Sequence, residues 1–311
     1  MRGHGLWTLW IPCAVLIAAG CGSVGDDDEP DGGDSMEPQL PAFDGDECIT
    51  AGDPGDHAFT CDGIDFLVMI PDSCPDDGCG LIFDVHGATM SGAQMRLNTE
   101  LDQLAPPQGF ITVHPSQPGG SWNDTHYPTV HDFMLRTIDL LPVDEERVHI
   151  TGFSQGGIMT WWFVRNHSDL LASAAPVAAV PSGIDDAGLD PEIPLLYMQG
   201  LTDTAFAYDE AEVMRDRLID ILGMKDEQMI AGDDSYGHTR WTNDNGTDFE
   251  FIWHDYGGQA VLAGHCIPGG TDTEGIPPFG ALNATTCTSG DINFHWGELA
   301  MEWFVAHPRV Q

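Results

Sequence analysis

Basic residues are scarce in this sequence. Lysine and arginine together number 10, against 50 aspartates and glutamates, and the formal net charge is −40. Only six of the acidic residues lie in the run at 26–34, so the rest of the chain is itself strongly acidic. Such a surface repels the phosphate backbone of nucleic acids, which excludes nucleic acid as a partner. The acidity is typical of a highly soluble protein, and binding of a specific cation stays open as an alternative.

Long apolar runs are lacking too, except near the N-terminus. A membrane-spanning helix needs about 20 apolar residues, and no run beyond residues 6–19 approaches that length. That run follows Arg2 and ends in Ala-Ala-Gly before Cys21, which is typical of a signal peptide and resembles a bacterial lipobox. We therefore expect a signal peptide at 1–20, a lipidated Cys21 that anchors the protein to a membrane, and export to the bacterial cell envelope or secretion. A plain secretory signal with an incidental cysteine is the alternative.

The sequence after Cys21 divides into two regions. Residues 21–46 are rich in Asp, Gly and Pro and lack hydrophobic periodicity, which predicts a disordered acidic linker. Residues 47–311 contain enough apolar sequence for one large folded domain. The sequence contains no internal repeat and no oligomerisation signal, so we expect a monomer.

No cysteine pair has the CxxC spacing that is typical of zinc sites, so we expect no metal. Six cysteines remain after Cys13 and Cys21, an even number that in an exported protein predicts disulfides, although 15 pairings are formally possible. Proximity along the chain favours the pairs Cys48–Cys61, Cys74–Cys79 and Cys266–Cys287. A zinc site is the competing interpretation.

Short, uniformly apolar runs alternate with helical stretches across the folded region. The runs lie at 64–70, 80–85, 110–114, 148–151, 174–179, 195–199 and 249–253, and the helical stretches at 131–141, 157–166, 208–222 and 298–305. Strands of this composition are typically buried on both faces. The alternation predicts an α/β fold with a mainly parallel central sheet flanked by helices.

The motif Gly-Phe-Ser-Gln-Gly-Gly at 152–157 follows one of these strands and precedes a helical stretch. A G-x-S-x-G motif in this context is typical of the nucleophile elbow, a sharp strand-to-helix turn that exposes a serine. Ser154 is therefore the candidate nucleophile. The backbone N–H of Gln155 is a candidate oxyanion donor. The Ala88 amide, in the loop that follows the strand at 80–85, is the second.

A serine nucleophile needs a base and an orienting acid, which in this arrangement follow it in the order acid, then histidine. Asp203 comes directly after the apolar run at 195–199 and is the candidate acid, with Asp209 as the alternative. His265 lies in a Gly- and Pro-rich loop after the last strand and is the candidate base. His295 is its rival, and His254 lies too close to the strand end.

With these residues identified, the chain resembles the polyhydroxybutyrate depolymerase-like and feruloyl-esterase-like branch of secreted α/β-hydrolases. The matching segments are VHGATMSG at 85–92, VDEERVHITGFSQGG at 143–157, MQGLTDT at 198–204, AGHCIPGG at 263–270 and WFVAHPR at 303–309. The resemblance implies an α/β-hydrolase fold and a triad of Ser154, Asp203 and His265.

The resemblance also implies a carboxylic ester hydrolase that needs no cofactor. Its expected substrates are carboxylic esters, polymers among them: a polyhydroxybutyrate-type polyester or the feruloyl or acetyl esters of polysaccharides. A family position near the active-site entrance falls on Trp122, which we expect to stack on substrate. The sequence departs from the family pattern at Ala88, where relatives often have Cys, at Gln199, which replaces a His, and at Ile267, which replaces a Trp. The alternative function is a non-catalytic surface lipoprotein that uses the hydrolase fold for binding.

Overall fold

The computed structural model describes residues 43–180, 189–258, 262–270 and 285–309. These residues belong to a compact unit that begins at Phe43. The carboxylate of Asp46 accepts the backbone N–H groups of Cys48 (2.8 Å) and Ile49 (2.7 Å) and pairs with Arg136, so the folded domain begins slightly before the predicted boundary at residue 47. The predicted signal peptide, the lipidated Cys21 and residues 21–42 of the predicted linker lie outside the described residues.

In the described part of the chain, ten strands form one sheet in the order β1-β2-β4-β3-β5-β6-β7-β10-β9-β8. Their bounds are β1 Gly55–Cys61, β2 Ile64–Ile70, β3 Cys79–Val85, β4 Phe110–Ser116, β5 Val143–Phe153, β6 Ser173–Val177, β7 Leu195–Gly200, β8 Lys225–Gly232, β9 Tyr236–Thr242 and β10 Asp248–His254. The strands from β4 to β10 in this order pair in parallel, and the pairs at both edges are antiparallel. The predicted mainly parallel sheet is confirmed.

Helices cover both faces of the sheet. They are α1 Gly92–Thr99, α2 Leu101–Leu104, α3 Tyr127–Leu140, α4 Gln155–Asn166, α5 Tyr208–Ile221 and α6 Trp296–Ala306, with short 3₁₀ turns at Pro106–Gln108 and Ser168–Leu170. Side chains from α3, α4 and α5 pack on one face, and those from α1, α2 and α6 on the other. Because helices cover both faces, every residue of β3, β6 and β7 is buried, which explains their largely apolar sequences.

None of the helices in the described ranges is long and apolar enough to cross a membrane.

Strands β1, β8 and β9 and helices α1 and α2 were not predicted from the sequence, and for three of them the reason is identifiable. Strand β8 is polar and exposed along nearly its whole length, because it is an edge strand that is held mainly by its pairing with β9. Strand β9 mixes polar and aromatic residues without a clear alternation. Helix α1 carries little apolar periodicity and is instead fixed at its start by a capping box between Ser91 and Gln94.

The parallel strands place one set of loops together. In a parallel sheet the carboxyl ends of the strands lie at the same edge, and ligands bind in the crevice outside that edge. The loops after β3, β5, β7 and β10 carry the predicted oxyanion residue Ala88, the predicted nucleophile Ser154, and the predicted acid and base Asp203 and His265. The fold therefore gathers the four segments that the sequence singled out.

Candidate active site

Ser154 lies at the sharp turn between β5 and α4. Its backbone has φ 56° and ψ −117°, a conformation that costs a non-glycine residue on the order of 1–3 kcal/mol and that is concentrated at functional sites. The Ser154 N–H donates to the carbonyl of Val177 on β6 at 3.0 Å, and the Ser154 carbonyl accepts the N–H of Ile158 at 2.9 Å. The strained turn is thus anchored both to the sheet and to the helix behind it.

Two glycines of the motif allow this turn to pack. A Cβ atom at Gly152 would lie 2.4 Å from the carbonyl oxygen of Gly156, and a Cβ at Gly156 would lie 2.0 Å from the carbonyl oxygen of Val85. Both distances are shorter than any van der Waals contact, so neither position can accept a side chain without a backbone shift. The spacing of the motif therefore reflects the close approach of α4 to the ends of β3 and β5.

Asp203 lies in the turn after β7 with its side chain held by four donors. Oδ1 accepts the backbone N–H groups of Ala205 (2.7 Å) and Phe206 (2.9 Å). Oδ2 accepts hydrogen bonds from Nδ1 of His265 (2.8 Å) and from Nε2 of Gln199 (2.9 Å). The carboxylate is buried, and these four donors compensate the loss of its hydration.

His265 contacts Asp203 directly and also contacts the residue next to Ser154. Its hydrogen bond to Asp203 places the proton on Nδ1, which leaves Nε2 unprotonated in the neutral ring and able to accept a proton. The imidazole lies with its centroid 4.6 Å from the ring of Phe153, the residue directly before Ser154. The structure thus brings the predicted acid and base into direct contact and places the base beside the nucleophile turn.

The loop that carries His265 is tied to neighbouring segments. Ala263 bridges to Asp203, and Gly264 donates its N–H to the carbonyl of Thr202 at 3.2 Å. A Cβ at Gly200 would lie 2.2 Å from the carbonyl oxygen of Gly264, so the end of β7 and this loop are in backbone contact. Ile267 extends the attachment by donating its N–H to the carbonyl of Thr285 at 2.7 Å. The loop of the candidate base is therefore attached to its neighbours by backbone contacts.

Three disulfides occur among the described residues, and each has the pairing that proximity favoured: Cys48–Cys61, Cys74–Cys79 and Cys266–Cys287. The third joins the residue directly after His265 to the segment at 285–290, and both of its cysteines are buried. Since six cysteines are used in this way, they are not available as metal ligands. Within the described residues, no group of three or more His, Cys, Asp or Glu side chains is arranged to hold a metal ion.

Gln199 is a site residue whose role the sequence did not reveal. Its side chain is fully buried on β7, and Nε2 donates both to Asp203 and to the carbonyl of Phe206 at 2.8 Å. It thereby adds a second donor to the carboxylate oxygen that His265 contacts. From the sequence we could say only that Gln199 stands where the family pattern usually has a His.

The predicted oxyanion donors lie in loops that approach each other closely. A Cβ at Gly87 would lie 2.8 Å from Cδ1 of Phe153, so the loop after β3 runs directly against the nucleophile turn. Gln155 is the first residue of α4, where backbone N–H groups have no partner within the helix. Within the described ranges, neither the backbone N–H of Ala88 nor that of Gln155 donates to a backbone carbonyl outside its own element. Both N–H groups can therefore serve a ligand.

Trp122 occupies a different position from the one that the family resemblance implied. The indole is 5% exposed, its Nε1 donates to the carbonyl of His86 at 2.8 Å, and its backbone N–H donates to Oε1 of Gln155 at 2.9 Å. This placement corrects the prediction that Trp122 stacks on substrate, because so little of the ring is accessible. The residue instead connects the two segments that carry the candidate oxyanion donors, through its indole N–H on one side and its backbone N–H on the other.

The alternative residues have other roles in the structure. His295 caps α6 by accepting the N–H of Glu298 on Nδ1 at 3.4 Å. His254 is buried, and burial lowers the pKa of His254 to about 4, an effect that the nearby charge of Asp203 only partly offsets. Asp209 is exposed in the first turn of α5. The contact that defines the site is therefore made by Asp203 and His265.

The relatives of this chain reported below are named acetylxylan or feruloyl esterases. The chain matches no protein-family model. It is 25% identical over 140 residues to a bifunctional acetylxylan esterase/xylanase of Neocallimastix patriciarum (42% of this chain, 20% of that protein). It is 24% identical over 134 residues to acetylxylan esterase A of Aspergillus ficuum (39% and 44%), and 28% identical over 133 residues to feruloyl esterase B of Thermothelomyces thermophilus (39% and 45%). The matched part thus spans less than half the length of each of these relatives.

Solved structures similar to this chain have the same architecture. An acetyl xylan esterase from Aspergillus awamori superposes with a TM-score of 0.51 at 16% identity, over 61% of this chain and 87% of that one. A thermostable esterase gives 0.52 at 17% identity, over 82% and 63%. The chain has the α/β-hydrolase fold, as the motifs predicted, and the acetylxylan and feruloyl esterases among its relatives agree with the feruloyl-esterase-like resemblance.

Proposed function

We propose that this α/β-hydrolase-fold protein is a serine esterase that hydrolyses carboxylic esters through Ser154, His265 and Asp203. The observation that carries the proposal is the hydrogen bond between His265 and Asp203 beside the strained turn of Ser154. A strained serine between a strand and a helix, an oriented imidazole and a buried carboxylate are the parts that acyl transfer requires. The relatives named as esterases support the same reaction class.

The reaction proceeds in two halves. Nε2 of His265 takes the proton from the Ser154 hydroxyl as its oxygen attacks the ester carbonyl, and the amides of Ala88 and Gln155 stabilise the oxyanion that forms. The tetrahedral intermediate collapses, the alcohol leaves with the proton from His265, and an acyl-enzyme remains on Ser154. A water molecule, deprotonated by His265, then attacks the acyl group, and the free acid departs as His265 returns that proton to the Ser154 oxygen. Asp203 holds the imidazole in the required tautomer throughout.

We propose acetyl or feruloyl esters of polysaccharides as the substrate class. The support is the set of relatives whose names refer to acetylxylan and to feruloyl esters. A polyhydroxybutyrate-type polyester is the other expected substrate from the motif resemblance. These classes differ in the acid that is released, so product analysis separates them.

We also propose that the protein is exported and held at the cell envelope by lipid on Cys21. Three disulfides support export, because disulfides persist in oxidising compartments. The lipid anchor rests on the sequence before Cys21. Expression of the full chain and of Cys21→Ala tests it: we expect the wild type in the membrane fraction and the variant released, and equal release of both would contradict the anchor.

The test of function is a substrate panel with the purified protein and Ser154→Ala. Acetate release is measured from acetylated xylan, ferulate release from methyl ferulate, and hydroxybutyrate release from its oligomers. We expect acetate or ferulate release by the wild type and none by Ser154→Ala. Equal release by the two proteins, or no hydrolysis of these esters and of p-nitrophenyl acetate by the wild type, would refute the proposal.

A further inference from the structure

The peptide between Gly87 and Ala88 is held from its carbonyl side. The Gly87 carbonyl accepts a hydrogen bond from Nδ1 of His86 at 2.7 Å and from the N–H of Met90 at 3.3 Å. The peptide is trans, so its N–H, which belongs to Ala88, points away from its C=O. We propose that His86 is a positioning residue that aims the Ala88 amide at the substrate oxyanion by fixing the other side of the same peptide. This inference rests on the proposed function.

The hydrogen bonds of His86 select one tautomer. The backbone N–H of Gln117 points at Nε2 of His86, with 3.3 Å between the nitrogens. A backbone N–H can only donate, so Nε2 is unprotonated and the ring proton lies on Nδ1, where it is donated to the Gly87 carbonyl. His86 is fully buried, and burial lowers its pKa to about 4, so the ring is neutral at pH 7 and keeps this tautomer.

The segment 117–122 connects this histidine to the second oxyanion donor. Besides Gln117, it contributes Trp122, whose indole donates to the carbonyl of His86 and whose backbone N–H donates to the side chain of Gln155. Gly120 adds a third attachment, since its carbonyl accepts the N–H of Thr89 at 2.5 Å. One segment therefore fixes both residues whose amides form the proposed oxyanion hole, and His86 transmits that support to the Gly87–Ala88 peptide.

Histidine is suited to this position because its two ring nitrogens point to opposite sides. One must donate to Gly87 and the other must accept from Gln117. The shorter amide side chain in the variant His86→Asn can place its N–H near the position of Nδ1, whereas the longer side chain in His86→Gln reaches the position of Nε2. This pair of variants thus separates the bond to Gly87 from the bond to Gln117, with a buried polar group retained in both.

The experiment measures kcat and KM for p-nitrophenyl acetate, normalised by active-site titration, and the inhibition constant of a trifluoromethyl ketone, whose adduct oxygen occupies the oxyanion hole. Outright loss of an oxyanion donor costs about 10²–10³ in kcat. We expect His86→Gln to lose about 10- to 100-fold in kcat and in inhibitor affinity with KM nearly unchanged, and His86→Asn to lose clearly less. His149→Gln is the matched control, because His149 is equally buried but bonds to Ser173 at 2.9 Å away from the site.

The outcomes distinguish the inference from the proposed function. Equal kcat and inhibitor affinity in wild type and His86→Gln would overturn the inference alone. So would equal losses in His86→Gln, His86→Asn and His149→Gln, since these would show that the residue acts only through general packing. A wild type that hydrolyses no ester would overturn the proposed function, and the inference with it.

Discussion

Nδ1 of His265 lies 2.8 Å from Oδ2 of Asp203, although the two residues are 62 positions apart in the sequence. The contact forms because β7 and β10 are parallel neighbours, so the loops that follow them leave the sheet at the same edge. The Asp203–Ala263 bridge and the backbone contact between Gly200 and Gly264 hold the two loops together. The sheet order, rather than the local sequence, thus creates the pairing on which the proposed chemistry depends.

The first prediction concerns the charge of Asp203. An asparagine keeps the size of the side chain but can present an N–H to His265, which would favour the imidazole tautomer that cannot accept the serine proton. We expect Asp203→Asn to lower kcat by about 10⁴-fold while the protein stays folded, as in other serine triads. Nitrophenyl ester kinetics and a thermal melt measure the two effects. A loss below about 10-fold would contradict the assignment of Asp203 as the orienting acid.

The second prediction concerns Gln199, which donates to the same carboxylate oxygen as His265. We expect Gln199→Met to lower kcat by about 10-fold, because Asp203 loses a fixed donor and a buried charge is less well satisfied. Gln199→His retains an N–H donor and should keep most of the activity. If the methionine and histidine variants had equal kcat values, the donor to Asp203 would have no role in catalysis.

The sequence was most informative where burial is uniform. The apolar strands β3, β6 and β7 were predicted correctly because helices cover both of their faces. Burial of every position favours apolar residues along the whole strand, and such a run can be recognised in the sequence. The exposed edge strand β8 carries no such pattern, since it owes its existence to pairing with β9. A strand of this kind cannot be recognised from its own residues.

The site divides in the same way. Ser154 could be proposed from the sequence because its turn imposes glycines at fixed spacing, and Asp203 and His265 because they follow strands. The roles of Gln199 and His86 depend on contacts with residues brought together only by the fold, and a glutamine or histidine in a strand end carries no signal of its own. Trp122 was assigned to substrate for the same reason, since sequence does not reveal that its indole N–H is used by His86.

The third prediction concerns the disulfide beside His265, the proposed base. Replacing Cys266 and Cys287 together by serine should lower the free energy of unfolding by about 2–4 kcal/mol and also reduce kcat, because the loop of His265 loses a covalent attachment. The matched control is the double serine variant of Cys74 and Cys79, which are 5 positions apart and join the first residue of β3 to the segment before it. Equal kcat values for the two double variants would show that the disulfide does not fix His265.

A buried ion network connects α1 and α2 to the sheet. His114 on β4 lies between two carboxylates: Nε2 is 2.6 Å from Asp102, and Nδ1 is 3.2 Å from Asp84. Thr99 donates to Asp84 at 2.6 Å, and Arg96 pairs with Asp102. Burial alone would lower the pKa of His114, but the charge and hydrogen bond of Asp102, together with Asp84, raise it to about 9. The histidine is thus protonated at neutral pH.

The fourth prediction follows from the sign of this shift. The pKa of His114 is higher in the folded state than its ordinary value of 6.5, so the folded state binds more protons between pH 6.5 and 9. The contribution of protonated His114 to the free energy of unfolding is complete below pH 6.5 and is lost as the pH rises through 9. We expect unfolding free energies from urea denaturation to fall by up to about 1 kcal/mol per pH unit in this range, and His114→Gln to show a weaker dependence. His149→Gln should keep the wild-type slope, since the pKa of His149 is lowered by burial. Equal slopes in all three proteins would contradict the prediction.

The central claim is that Ser154 is the nucleophile, activated by His265 and Asp203. The most direct test is to label the purified protein with a fluorophosphonate and to locate the adduct by peptide mass spectrometry. We expect one adduct, on Ser154, which is absent in Ser154→Ala and forms much more slowly in Asp203→Asn. An adduct on another serine, or turnover of p-nitrophenyl acetate by Ser154→Ala at the wild-type rate, would contradict the account.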